Sequence, residues 1–244
     1  MMELSGKSGG TPLFARWTSD FDCGYETEWW YCIKDEPFDI GTLKAKRRYE
    51  INKGKKNFNV RVINPKDYVD DSYRVTVEAY SQWPEKYRPI VDENSFKSGV
   101  GKWNYVVFAD FSLEDSSLSG YALINQHDCY AEFNVLRIDP EAERKGLNAA
   151  MVAGILEYYS NRLEKGFYIN DGSRTIRHET AFQDYLEKYF GFRKAYCKLN
   201  IKYKFPVNLA VKILYPFRNR ISKESKVGSL VSAVLQMEEI KRNC

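Results

Sequence analysis

Hydrophobic and polar positions alternate with a period of two along residues 58–63, where Phe58, Val60 and Val62 are set against Asn59 and Arg61. The same period returns at 196–203, with Cys197, Leu199, Ile201 and Tyr203 opposite Tyr196, Lys198, Asn200 and Lys202. Each pattern predicts a strand with one buried face. Runs of strand formers at 28–33, 105–112, 119–125 and 131–138 predict four more, the last three joined by turns at 114–117 and 126–129. The period then changes. Leu147, Ala150, Met151, Gly154, Ile155 and Tyr158 recur at helical spacing, which predicts a helix over 146–164 with one buried stripe. Further helices are predicted at about 40–55, 67–80, 180–189 (capped by Thr180 and stopped by Gly191) and 227–241, and a short strand at 167–170 with a turn at 171–173. Residues 1–12 are polar and glycine-rich, which predicts a loose segment.

Composition narrows the class. With 43% hydrophobic and 29% charged residues over 244 positions, the chain is long enough to bury a substantial core. The 18 tyrosines are read as packing residues. Apolar runs fall well short of the roughly 18 residues that span a bilayer, and the first residues lack an apolar signal region. Five cysteines, at 23, 32, 129, 197 and 244, form no metal-type pair, so no metal site is expected and a cytoplasmic setting is. A net charge of +4 does not by itself imply nucleic acid. The charge is uneven, however: Lys44, Lys46, Arg47, Arg48, Lys53, Lys55 and Lys56 crowd one predicted helix. That helix is either a solvated face or a surface for an anionic partner such as a nucleotide, a tRNA or a sugar phosphate. A second basic stretch, 203–226, mixes Lys212, Arg218, Arg220, Lys223 and Lys226 with Val211, Ile213, Leu214 and Phe217. It is read as a tail packed on the domain, with attachment to a membrane surface as the alternative.

The segment 138–152, IDPEAERKGLNAAMV, carries the most information. A strand ends at Asp139-Pro140, a short charged turn follows, and a helix opens at Gly146. Pro140 cannot donate to a sheet ladder, so the strand stops there. The free amides of a helix N-terminus are a ready site for a phosphate or pyrophosphate. These residues resemble the acyl-coenzyme-A loop of the GNAT superfamily of N-acetyltransferases, in which Arg/Gln-x-x-Gly-x-Gly/Ala opens the helix. Gly146 matches the first glycine; Glu143 and Asn148 stand where the family has Arg/Gln and the second Gly/Ala. Ser119-Gly120-Tyr121-Ala122 and Gly191-Phe192 resemble two further family positions, although Glu187 stands where the family's acid Tyr is found and Tyr185 lies two residues earlier. The resemblance runs over about 58–205. It implies a mixed, mainly antiparallel twisted α/β sheet flanked by helices, preceded by an aromatic strand and basic helix at 1–57 and followed by a basic, helical tail at 206–244.

The implied activity is transfer of an acyl group, acetyl above all, from acyl-coenzyme A to an amine of a small molecule or sugar. An ordinary amine, with a pKa of about 10.4, is mostly protonated at neutral pH, so the reaction needs a base as well as proximity and an acid for the leaving thiolate. Glu132 is the first candidate for the base and His178 the second; Tyr185 is the candidate acid, and His127 is read as structural. Leu136 and Ile138 would line the thioester, with Arg144, Lys145, Gly146, Leu147, Asn148 and Ala149 around the pyrophosphate. Cys197 alternates into a buried face and is read as core. The basic helix at 44–56 also resembles one in Fem-type peptidyltransferases, which take aminoacyl groups from tRNA on the same fold. A non-catalytic, ligand-binding member is the remaining alternative.

Overall fold

The structure is a computed structural model that describes residues 2–5, 12–176, 181–222 and 224–244. The chain forms two compact units, neither of them a continuous stretch. The first comprises residues 1–33, 172–184 and 193–244, and the second residues 34–171 and 185–192.

In the first unit the strands are β1 (Met2–Ser5), β2 (Phe14–Ser19), β3 (Trp29–Lys34) and β9 (Arg193–Tyr203). They pair antiparallel in the order β1, β2, β9, β3. β1 replaces the loose segment expected at the start of the chain: its residues find ladder partners in β2, from Met2↔Trp17 to Ser5↔Phe14. The alternation along 196–203 is realised as predicted. Cys197, Leu199 and Ile201 are buried with Trp29 against Met237 and Ile240 of the terminal helix α8 (Lys226–Asn243). Between β9 and α8 lie the short helix α7 (Val207–Leu214) and a 3₁₀ turn over Tyr215–Arg220.

The second unit is built on β4 (Phe58–Ile63), β5 (Val106–Ser112), β6 (Leu118–Gln126), β7 (Tyr130–Ile138) and β8 (Tyr168–Ser173). Antiparallel pairing runs from β4 to β7, and β7 pairs parallel with β8. The expected mixed, mainly antiparallel α/β architecture is therefore present. The turn expected at 171–173 is instead the end of β8. One sheet face, carrying Val107, Ala109, Tyr121 and Leu123, is covered by α2 (Val69–Ser81) through Val75, and the Thr76 and Tyr121 hydroxyls lie 2.7 Å apart. A further helix, α3 (Glu93–Val100), packs on α2. Successive strand residues face opposite ways, so Gly120 turns to the other side, where a Cβ would meet Leu147 Cδ2 at 2.8 Å. This second face carries α5 (Leu147–Leu163), whose predicted stripe is buried at Leu147, Ala150, Met151 and Ile155, while Tyr158 is exposed and Tyr159 is buried in its place; α1 (Ala45–Asn57) packs beside it. α1 thus belongs with the strands that follow it, although the sequence grouped it with the N-terminal segment.

Candidate functional site

The turn into α5 is more structured than the charged turn expected from its sequence. Asp139 accepts the Glu141 amide at 2.8 Å and caps a five-residue helix, α4 (Pro140–Arg144). Pro140 sits in its first turn, where a missing N–H is harmless. α4 closes through the amides of Lys145 and Gly146, which donate to Ala142 O and Glu143 O at 3.0 Å each. Gly146 then turns the chain at φ +96°, in the left-handed region that favours glycine.

This arrangement corrects the expectation that all amides from 144 to 149 face an anion, since those of Lys145 and Gly146 are spent inside the turn. The amides of Leu147, Asn148 and Ala149 meet no backbone acceptor among the described residues. The Asn148 Oδ1 beside them is buried without a partner among the described residues. Three free donors at the positive end of a helix of 17 residues fit a phosphate group. The flanking cations are partly neutralised: Arg144 pairs with Glu141 at 2.7 Å, and Lys145 lies 3.8 Å from Glu114.

α1 closes over the same turn. A Cβ on Gly146 would stand 3.0 Å from both Glu50 O and Gly54 N, so the absence of a side chain there serves helix packing. Lys53 Nζ donates to Arg144 O at 2.9 Å and Asn57 Nδ2 to Lys145 O at 3.3 Å. Lys53 is exposed but tied to the turn, and Arg48 and Lys55 are engaged as well, with Leu43 O at 2.8 Å and Glu157 at 2.6 Å. Arg47 is the buried cation of the segment: it pairs with Glu50 at 2.5 Å, and its guanidinium lies 3.8 Å over the Tyr189 ring.

Arg47 Nη1 also donates to the Tyr185 hydroxyl at 3.3 Å, so α6 (Ala181–Phe190) places this Tyr beside α1. Burial pushes the Tyr185 hydroxyl up to about 12; Arg47 opposes that shift, while Glu50 and Glu143 add to it. Glu143 and Tyr185, 42 residues apart in sequence, thus share one neighbourhood.

β7 holds the remaining candidates. Its antiparallel register with β6 slips by one residue: Ile124 opposes Phe133, Leu123 opposes Val135, and Asn134 is the extra residue of a bulge. The slip reverses a face assignment. By simple alternation Glu132 shares a face with Leu136 and Ile138. In the structure Glu132, opposite Asn125, lies on the face of Val135, Arg137 and Tyr121, whereas Leu136 and Ile138 turn toward α5.

On its other edge β7 pairs with β8 only from Tyr130↔Tyr168 to Glu132↔Asn170. Beyond that point Asn134 to Ile138 pair with no β8 residue among the described residues, which leaves this part of the ladder open just before α4. Glu132 stands where the pairing ends. It is half-buried, and burial raises its carboxyl above the usual carboxylate range, with His127 pulling the other way. The His127 ring stacks on Tyr130 at 4.3 Å. His178 lies outside the described residues. Cys197 is fully buried, and burial pushes its thiol up to about 12.

One functional group escaped the sequence reading. Asp110 on β5 pairs with Gly120 and Val60 in a row of the sheet that faces α5, and none of its surface is exposed. Neither carboxylate oxygen has a partner among the described residues, and burial lifts its pKa to about 8. Its only sequence signal is a lone acid between the strand residues Ala109 and Phe111.

No family model and no curated protein matches the sequence. Solved structures do. The chain is similar to an L-PGS from Bacillus licheniformis, at 15% identity over 81% of this chain and 65% of that one, with a TM-score of 0.48. It is similar to the C-terminal DUF2156 domain of a putative lysylphosphatidylglycerol synthetase from Agrobacterium fabrum, at 11% identity over 83% of this chain and 65% of that one (TM-score 0.49). A GCN5-related N-acetyltransferase from Sphaerobacter thermophilus aligns at 12% identity over 72% of this chain and 51% of that one (TM-score 0.45). The chain thus spans 65% of the length of each of the first two structures.

Proposed function

We propose that this chain is an acyltransferase that moves an acyl group from acyl-coenzyme A to an amine of a small molecule. The observation that carries the reading is the open edge of β7 over Asn134 to Ile138, which leads through α4 to the N-terminal amides of α5. Those amides, of Leu147, Asn148 and Ala149, would hold the pyrophosphate. Leu136 and Ile138 lie along the strand between them and the bulge, on the α5 face. Bound acyl-coenzyme A would supply an activated thioester, and the remaining work is proton transfer and positioning.

Glu132 accepts the proton that the attacking amine must shed. Its raised pKa suits a base operating near neutral pH better than an ordinary carboxylate would. Tyr185 accepts a hydrogen bond from Arg47 and would donate its proton to the departing thiolate. Arg137 donates to the Tyr80 hydroxyl at 2.6 Å on the Glu132 face and pins the strand there.

A second reading, in which aminoacyl-tRNA is the donor, is favoured by one feature of α1. Tyr49 is 68% exposed in a stripe with Lys46 and Lys56, an aromatic set among cations as in surfaces that stack bases and hold phosphates. Thermal unfolding separates the two. Acetyl-coenzyme A should raise the midpoint, by the equivalent of about 2.7 kcal/mol at a concentration about a hundred-fold above Kd. Stabilisation by bulk tRNA alone, lost as salt is raised, would replace the coenzyme A reading with the tRNA one.

A further inference from the structure

The segment after β9 presents a surface that the acyl-transfer reading does not use. Phe205, Leu209, Ile213 and Phe217 follow one another at intervals of four residues through α7 and the 3₁₀ turn. They are 73%, 50%, 57% and 53% exposed, while Val211 packs inward at 6%. Four large apolar side chains in sequence, each at least half exposed, form a patch of the kind that marks an interaction surface. Charge tells what covers it. Between Ile201 and Ser222 there are five basic residues and no acidic one. Lys202, Lys204, Lys212 and Arg220 are all exposed and make no ion pair among the described residues.

We propose that this face docks on an anionic lipid bilayer, with the four apolar side chains entering the headgroup boundary and the lysines and Arg220 meeting lipid phosphates. α7 has eight residues, about 12 Å of helix. It therefore lies in the interface, and no described helix of the chain is long and apolar enough to cross a membrane. A second copy of the chain is disfavoured by the same charges: a twofold contact would set this cationic rim against itself. A bilayer rich in acidic lipid supplies the opposite charge over the whole rim.

The test is sedimentation of the intact chain with vesicles of phosphatidylcholine alone and of phosphatidylcholine mixed equally with phosphatidylserine. The chain should sediment with the acidic vesicles and stay in solution with the neutral ones, and binding should weaken as salt is raised. Reversing Lys204 and Lys212 to Glu should lower the partition coefficient by at least about five-fold per residue. Ile213→Ser with Phe217→Ser should lower it by at least about ten-fold while the chain still melts well above the assay temperature, because more than half of each side chain is already in water. Absence of binding to acidic vesicles at low salt overturns the proposal. So does a concentration-dependent dimer that Ile213→Ser with Phe217→Ser abolishes while vesicle binding is unchanged.

Discussion

Glu132 shows how much one residue can depend on its neighbours. Its carboxyl is held above the ordinary range by burial at the point where β7 and β8 part. A raised pKa means that the base form is lost at a higher pH than usual, so the acidic limb of the kcat/KM profile should lie above the range of an exposed Glu. Glu132→Gln keeps the size of the side chain and removes its proton-accepting charge. We expect kcat/KM to fall by roughly 10²-fold or more and the acidic limb to disappear. Coenzyme A affinity should hold, because the amides of Leu147 to Ala149 are untouched. An unchanged pH profile in that variant would move the role to another group, with His178 next. The sequence located Glu132 on its strand but gave its face wrongly, because a two-residue period has no means of announcing a bulge at Asn134.

Among the elements, the contact between α1 and α5 is the most constrained. Gly54 and Gly146 let the two backbones approach, and a Cβ at Gly54 would stand 2.7 Å from the Ala150 Cβ and closer still to Gly146 O. Two effects oppose each other in Gly54→Ala. Alanine gains about 1 kcal/mol of helix propensity, while overpacking against a fixed neighbour costs about 1–3 kcal/mol. Here the neighbour is backbone of the turn, which gives way less readily than a side-chain tip. The clash should win, and urea unfolding should show net destabilisation of about 1 kcal/mol or more. A stabilised Gly54→Ala protein would mean that α1 is not seated on the turn. By the same geometry any side chain at Gly146 disturbs the helix contact. Legibility at this scale followed periodicity. The α5 stripe is plain in the sequence as far as Ile155, whereas α4 is hidden in a charged stretch where Asp139-Pro140 signals only the end of a strand.

For the whole molecule, Asp110 sets a pH dependence of stability. Its folded pKa is raised to about 8 from the ordinary 3.8 by burial, so the unfolded chain releases this proton first. The native state binds more protons than the unfolded state between those values, and stability falls as pH rises through that window. The slope contributed by this group is at most about 1.4 kcal/mol per pH unit. Below the lower value both states are protonated and its full stabilising contribution is present. Asp110→Asn has no proton to lose, so its stability should be flatter between pH 4 and 8 and higher than wild type at the upper end. Parallel pH curves for the two proteins would show that this carboxyl reaches water or a cation when the chain breathes. Asp110→Asn also leaves the surface of α7 and the stripe of α1 unaltered, so it separates global stability from either binding event.

Local chemistry was enough to determine the elements. The two-residue period places β4 and β9, the helical period places α5, and Asp139-Pro140 ends β7, because side-chain direction and proline's missing donor act within a few residues. The mixed α/β architecture follows from their order. Tertiary structure decided what those elements share. It put Arg47 under Tyr189 instead of in water, brought Glu143 to Tyr185, and parted β7 from β8 after Glu132. It also left Asp110 without a partner among the described residues and Phe205, Leu209, Ile213 and Phe217 at least half exposed. None of these has a local signature. Whether a cation is solvated or a carboxyl is paired depends on which distant residues come to lie beside it, and only the packed chain brings them there.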